Sequence, residues 1–162
     1  VPCLIDHGFT VWDSLAIGEY LAEKNPALLP ADPAARAIAR AVTAEMHSGF
    51  QNLRSRMPMN IRKDYTGFGH SPEVDADITR IIAIWNDCRA RFGADGPYLF
   101  GRFSLADAAF APVAFRFQTY GVKPEGAASA YLATLLANPH MQDWAAAARA
   151  ETESLSEEDL YG

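Results

Sequence analysis

A carboxylate and a hydroxyl stand next to each other at Asp13-Ser14, where a helical pattern begins. Asp and Ser are common helix N-caps, and the pair predicts a helix from Ser14 to about Lys24. Backbone amides at a helix start, together with a serine hydroxyl, also form a binding site for an anion such as a carboxylate. Capping alone explains the pair equally well, and the two roles are compatible.

A second candidate group lies on a long helix, which the sequence predicts from Asp32-Pro33 to about Pro58. His47, Phe50 and Arg54 recur there at a spacing of about one helical turn, so they are expected to share one face. That face is either part of a binding cleft or a solvated or interface surface. The spacing alone does not separate these alternatives.

Ser104 and Asp107 have the spacing of a helix capping box, with Asp in place of the usual Glu. A Ser/Asp pair could also suggest a hydrolase. However, the sequence has no G-x-S-x-G nucleophile elbow, and no histidine lies near the pair. We therefore assign both residues a structural role.

Composition argues against several other functions. The four histidines and two cysteines lack metal-ligand spacing, so we expect no metal site. The net charge is -6 and the basic residues are dispersed, which disfavours nucleic acid and anionic membranes as partners. No apolar run approaches the roughly 20 residues of a membrane-spanning helix. These features predict a soluble protein of a reducing, cytoplasmic compartment.

The elements that must position these residues begin with a predicted β-hairpin. Two short apolar runs, at residues 3–5 and 9–12, flank His7-Gly8, and glycine readily supplies the positive φ of a tight turn. Two strands alone are marginal in water, so the hairpin is expected to belong to a larger sheet. After the first helix, prolines at positions 26, 30 and 33 interrupt any helical pattern, which indicates a linker over residues 27–33.

Residues 34–150 are predicted to be helical throughout. Further helices are expected to begin at Ser71-Pro72, Ser104, Pro124-Glu125 and Asn138-Pro139, and Gly93 is expected to end the second long helix. The acidic residues 151–162 predict a loosely attached tail.

In this order, the elements resemble those of the cytosolic glutathione transferase family, in particular a bacterial branch of it. The resemblance covers nearly the whole chain. Its motifs are Val1-Pro2-Cys3-Leu4, Asp13-Ser14-Leu15-Ala16-Ile17 with Tyr20-Leu21, Leu28-Leu29-Pro30, the run Ala44 to Phe50 with Pro58-Met59-Asn60, and Gly101 to Asp107.

The resemblance implies a mostly α fold. Residues 1–26 would form part of a thioredoxin-like α/β domain, namely a β-hairpin plus a helix. Residues 27–33 would be a linker, and 34–150 the all-helical C-terminal domain of a glutathione transferase. Family members are usually homodimers, which we expect here by analogy alone.

The resemblance also implies roles for single residues. Val1 and a cis Pro2 would pair with the cysteinyl part of glutathione, and Asp13 and Ser14 would hold its γ-glutamyl carboxylate. His47, Phe50 and Arg54 would line the cleft for a small hydrophobic electrophile.

No catalytic residue is predicted within the chain. In the family, a Ser, Tyr or Cys that activates the thiol precedes the position of Val1. Cys3 is not expected to replace it, because burial in an apolar strand raises the pKa of a thiol. The expected activity is glutathione transfer to an electrophile or a glutathione-dependent isomerisation. The alternatives are a non-catalytic binding or scaffold protein of the same fold and a generic helical bundle.

Overall fold

The computed structural model describes residues 2–153 and 159–162 and is mostly helical. Its elements are β1 (Cys3–Asp6), β2 (Phe9–Trp12), α1 (Ser14–Lys24), a 3₁₀ turn (Pro26–Leu28), α2 (Pro33–Ser48), α3 (Gln51–Arg56), α4 (Pro72–Phe92), α5 (Leu105–Tyr120), α6 (Gly126–Leu136) and α7 (Pro139–Ala150).

The predicted hairpin is present as an antiparallel pair in which Cys3 faces Trp12. His7 and Gly8 form its turn with φ of 48° and 83°, the conformation of a tight two-residue hairpin turn. Asp6 fixes β1 to α1, because its carboxylate accepts hydrogen bonds from the Tyr20 hydroxyl at 2.9 Å and from the Lys24 ammonium group. These two bonds fix the C-terminal half of α1 against the hairpin.

Side-chain caps begin most of the helices at the predicted residues. The N-cap positions confirmed by the structure are Asp13 for α1, Asp32 for α2, Ser71 for α4, Ser104 for α5 and Asn138 for α7. Proline occupies the first turn of α2, α4 and α7, where its missing N–H group costs no helical hydrogen bond.

The prediction of one long helix up to about Pro58 is wrong in one respect, because this stretch is divided into two helices, α2 and α3. Gly49 is extended, and Phe50 has a left-handed backbone with φ 59° and ψ 43°. Arg54 stabilises the break by donating to the carbonyls of Met46 and Gly49, the latter at 3.0 Å. The change in direction turns Phe50 into the protein interior.

The core lies between the helices of the C-terminal part and is centred on aromatic rings. Trp85 of α4 is fully buried and packs edge-on against Phe110 of α5 and Tyr131 of α6, at centroid distances of 5.8 and 5.0 Å. Such contacts contribute about 0.5–1.5 kcal/mol each beyond the burial of their area. This packing holds α5 against α4 and α6.

Asp107 joins the start of α5 to the core. Its carboxylate accepts four hydrogen bonds, from the amides of Leu99 and Ser104 and from the hydroxyls of Ser104 and Tyr131. Burial raises the pKa of the Asp107 carboxyl, and these donors counteract part of that rise. The predicted structural role of Ser104 and Asp107 agrees with these contacts.

The described end of the acidic tail is attached to the helices, contrary to the expectation of a loose end. The Tyr161 hydroxyl donates to the carbonyl of Arg56 at 2.7 Å, and its ring packs against Tyr65 at 5.4 Å. Asp159 accepts a hydrogen bond from Asn60 at 2.7 Å. Sequence reasoning missed this because the single aromatic residue in an acidic segment finds its partner only in the tertiary structure.

Within the described residues, none of the helices combines the length and the apolar character that crossing a membrane would require.

Candidate functional site

A cavity of about 440 Å³ lies where α1 approaches α2 and α5. Each helix contributes one face, so the lining residues recur at spacings of one, three or four. They are Ser14, Leu15, Gly18 and Glu19 of α1, Arg40, Thr43, Met46 and His47 of α2, Leu105, Ala108, Ala109 and Pro112 of α5, and also Leu29 and Arg54. The cavity therefore lies between the hairpin and α1 on one side and the helices of the C-terminal part on the other.

The start of α1 forms one end of this cavity. Asp13 Oδ1 accepts hydrogen bonds from the amides of Leu15 at 2.8 Å and Ala16 at 3.4 Å. Within the described part of the chain, the amide of Ser14 has no acceptor. That amide and the Ser14 hydroxyl are the donors that an anion at the helix start would use.

Asp13 has a strained backbone, with φ 71° and ψ 128°. A non-glycine residue in such a region costs about 1–3 kcal/mol, and strain of this kind is concentrated at ligand-binding sites. Its side-chain bonds to the α1 amides hold this conformation. The strain is therefore consistent with a helix start that binds a ligand in addition to being capped by Asp13.

His47 connects α2 to the start of α1. Its Nε2 lies 3.1 Å from Asp13 Oδ2, and its Nδ1 lies 3.4 Å from Ser14 Oγ. The imidazole thus contacts both residues of the predicted anion site from a helix 33 residues away in sequence. It can orient the Ser14 hydroxyl relative to the cavity.

An ion pair closes another part of the cavity wall. The Arg40 guanidinium group donates from Nε and Nη2 to the Glu19 carboxylate, with bonds of 2.8–3.2 Å. This contact lowers the pKa of the Glu19 carboxyl and raises that of Arg40, so both groups stay charged at neutral pH. The pair fixes α1 to α2 and neutralises both charges.

The structure brings together some of the predicted site residues and separates others. Ser14, His47 and Arg54 line the same cavity, and Asp13 contacts His47 beside it. Phe50 is only 7% exposed, belongs to the hydrophobic core and does not line the cavity.

Pro2, from the predicted glutathione site, is not part of the cavity wall. Val1 lies outside the described residues, and Pro2 is exposed next to β1.

The two cysteines differ from one another. Cys3 is exposed, so the expectation that it is buried in its strand is wrong. Cys88 is buried, which raises the pKa of its thiol to about 11. Cys88 is therefore unsuited to act as a nucleophile at neutral pH.

Sequence reasoning missed most of the cavity wall, including Glu19, Arg40 and the α5 residues. The signal was present in the spacing of small residues, such as Ala108, Ala109 and Pro112 on one side of α5. It was not decisive, because only tertiary packing shows which helix faces oppose each other.

The cavity combines hydrogen-bond donors that could bind an anion with an apolar side. Ser14 and Arg54 offer donors, while Leu15, Leu29 and Leu105 offer apolar surface. In the described residues, no group of three or more His, Cys, Asp or Glu side chains could hold a metal ion.

Comparison with known proteins identifies the domain to which α4–α7 belong. The profile of the glutathione S-transferase C-terminal domain matches residues 70–147. A probable maleylacetoacetate isomerase from Caenorhabditis elegans is 42% identical over 72 residues, which cover 43% of this chain and 34% of that protein. The IN2-1 homolog A protein of rice is 33% identical over 122 residues, covering 74% of this chain and 45% of the rice protein. The chain thus spans less than half the length of these curated relatives.

The fold is also similar to that of solved glutathione transferases. A glutathione transferase homologue from Burkholderia, crystallised with bound glutathione, superimposes with a TM-score of 0.65 at 27% identity. The match covers 93% of this chain and 74% of the Burkholderia protein. Together, these similarities show that the chain is related to the glutathione transferases and that residues 70–147 carry their C-terminal helical domain.

Proposed function

We propose that this protein is a glutathione transferase that holds glutathione by its γ-glutamyl carboxylate at the start of α1. The observation that carries this proposal is the Ser14 hydroxyl and amide at the edge of the cavity, in contact with His47. The Burkholderia homologue with bound glutathione supports glutathione as the ligand. A carboxylate placed there would accept charge-assisted hydrogen bonds, which are stronger than neutral ones.

In this proposal, each residue has a defined part. Asp13 keeps the α1 amides ordered, and His47 orients the Ser14 hydroxyl toward the bound carboxylate. Pro2, next to β1, and Val1 would contact the cysteinyl part of the tripeptide. The cavity beyond Ser14 would receive the electrophile, with His47 and Arg54 in its wall. We assign the activation of the glutathione thiol to none of the described residues.

The reaction is the attack of the glutathione sulfur on an electrophilic carbon. If the thioether product is released, the protein is a conjugating transferase. If the adduct rearranges and expels glutathione, the protein is an isomerase. The chain is 42% identical over 72 residues to a probable maleylacetoacetate isomerase of Caenorhabditis elegans and 47% identical over 57 residues to the rat maleylacetoacetate isomerase, which favours testing the isomerase reaction as well. We further propose the homodimeric assembly and cytoplasmic location usual in this family.

Calorimetric titration of the full-length protein with glutathione tests the proposal. Ser14→Ala removes the hydroxyl but leaves the amide, so the expected loss of binding free energy is about 1–3 kcal/mol. Ser48→Ala is the matched control, because Ser48 donates to the carbonyl of Ala44 on α2 and does not line the cavity. The proposal fails if millimolar glutathione does not bind or if Ser14→Ala binds as well as Ser48→Ala.

A further inference from the structure

Arg54 carries a positive charge into the cavity wall without a carboxylate partner. Its half-buried guanidinium group donates from Nε to the carbonyl of Gly49 at 3.0 Å and from Nη2 to the carbonyl of Met46. A guanidinium group has five N–H donors, so these two bonds leave three unused. Nη1 has no acceptor in the part of the chain that the structure describes.

The other charged groups near the cavity are already matched. Glu19 and Arg40 form a two-bond ion pair and cancel each other. The Asp13 carboxylate accepts hydrogen bonds from the α1 amides and contacts His47. Of the two arginines that line the cavity, Arg54 is therefore the one without a carboxylate partner among the described residues.

From this arrangement we infer that the second ligand of the cavity carries a carboxylate, which the free edge of the Arg54 guanidinium group binds. The inference rests on the proposed function only in treating the cavity as the site of the electrophile. An Arg fork matches the two oxygens of a carboxylate. The apolar side chains of Leu15, Leu29 and Leu105 suit the remainder of such a molecule. The substrate class is thus an electrophilic acid with a small apolar body, such as an α,β-unsaturated carboxylic acid.

Closing the end of α2 is a structural role that Arg54 performs with its two carbonyl bonds. That role explains the geometry at Met46 and Gly49 but does not require a cation in a cavity wall. A residue that acts only as a cap changes stability when it is replaced, with no preference between charged and neutral ligands. A comparison of two such ligands therefore separates the roles.

Cinnamate and cinnamamide are suitable probes, because they have nearly the same shape and differ in one charge. Titration of the full-length protein is expected to show cinnamate binding about ten-fold more tightly than cinnamamide, both with and without glutathione. Arg54→Gln is expected to abolish this preference, and Arg54→Lys to retain part of it. Ser14→Ala is expected to leave it unchanged, since the carboxylate lies at Arg54 and not at the start of α1.

Arg36→Gln is the matched control for the loss of charge. Arg36 lies on α2 and, like Arg54, donates to two backbone carbonyls, those of Pro30 and Ala31, but it does not line this cavity. Its replacement should leave the ten-fold preference intact. If Arg54→Gln does not fold, the salt dependence of the native protein decides, because only the affinity for cinnamate should fall with ionic strength.

Equal binding of the two probes by the native protein would overturn the inference. So would a preference that survives Arg54→Gln or disappears in Ser14→Ala. The proposed function is judged separately by glutathione binding alone. Failure of either experiment leaves the other interpretable.

Discussion

Replacement of Asp107 by alanine should destabilise the protein more than most single substitutions. The carboxylate is completely buried and accepts hydrogen bonds of 2.8–3.1 Å from two amides and two hydroxyls. The hydroxyls of Ser104 and Tyr131 can rotate toward other acceptors, but the amides of Leu99 and Ser104 cannot. An unsatisfied buried donor costs about 1–3 kcal/mol, so two amides give an expected loss of about 2–6 kcal/mol, centred on about 4 kcal/mol.

Urea unfolding followed by far-ultraviolet circular dichroism measures this loss directly. In a protein of this size, 4 kcal/mol also corresponds to a fall in melting temperature of about 10 °C. Asp143→Ala, at an exposed position of α7, is the control and should change stability by less than about 0.5 kcal/mol. A loss below about 1 kcal/mol for Asp107→Ala would refute the reasoning that these bonds hold α5 in place.

Two further predictions concern stability. Gly67 and Gly69 both have positive φ, but an added Cβ would meet nothing within 4 Å at Gly67 and a backbone carbonyl at 2.5 Å at Gly69. Chemical denaturation should therefore show Gly69→Ala to be less stable than Gly67→Ala by at least about 1 kcal/mol, and equal losses would contradict the steric argument. Glu45 pairs with Arg80 through two hydrogen bonds, which lower the pKa of the Glu45 carboxyl. Its contribution, at most about 1 kcal/mol at this partly exposed site, is present above the ordinary glutamate pKa of 4.5 and is lost as the pH falls through the lowered pKa of the Glu45 carboxyl. Unfolding of native protein and Glu45→Gln across pH should thus show a difference that shrinks on acidification, and a difference that grows would contradict this sign.

Much of the fold could be predicted because local signals and tertiary structure agree. The residues Asp13, Asp32 and Ser71 identify helix starts through chemistry that acts over three or four positions. The break between α2 and α3 could not be predicted in this way. Its cause is the packing of Phe50 into the core and the closure of the helix end by Arg54, which joins residues up to eight apart.

The candidate site was predictable only in part for the same reason. Ser14 and His47 were found as separate local features, and the structure brings them to within 3.4 Å of each other. The ion pair of Glu19 with Arg40 was not found, because its partners lie on two helices whose relative rotation no local pattern specifies. Phe50 was placed in the site on helical spacing that the break at Gly49 interrupts.

The most direct test of the glutathione-binding proposal is a crystal structure of the full-length protein with glutathione. The account predicts that the γ-glutamyl carboxylate accepts hydrogen bonds from the amide and the hydroxyl of Ser14, with His47 still in contact with that hydroxyl. Glutathione bound with both of its carboxylates away from the start of α1 would contradict it.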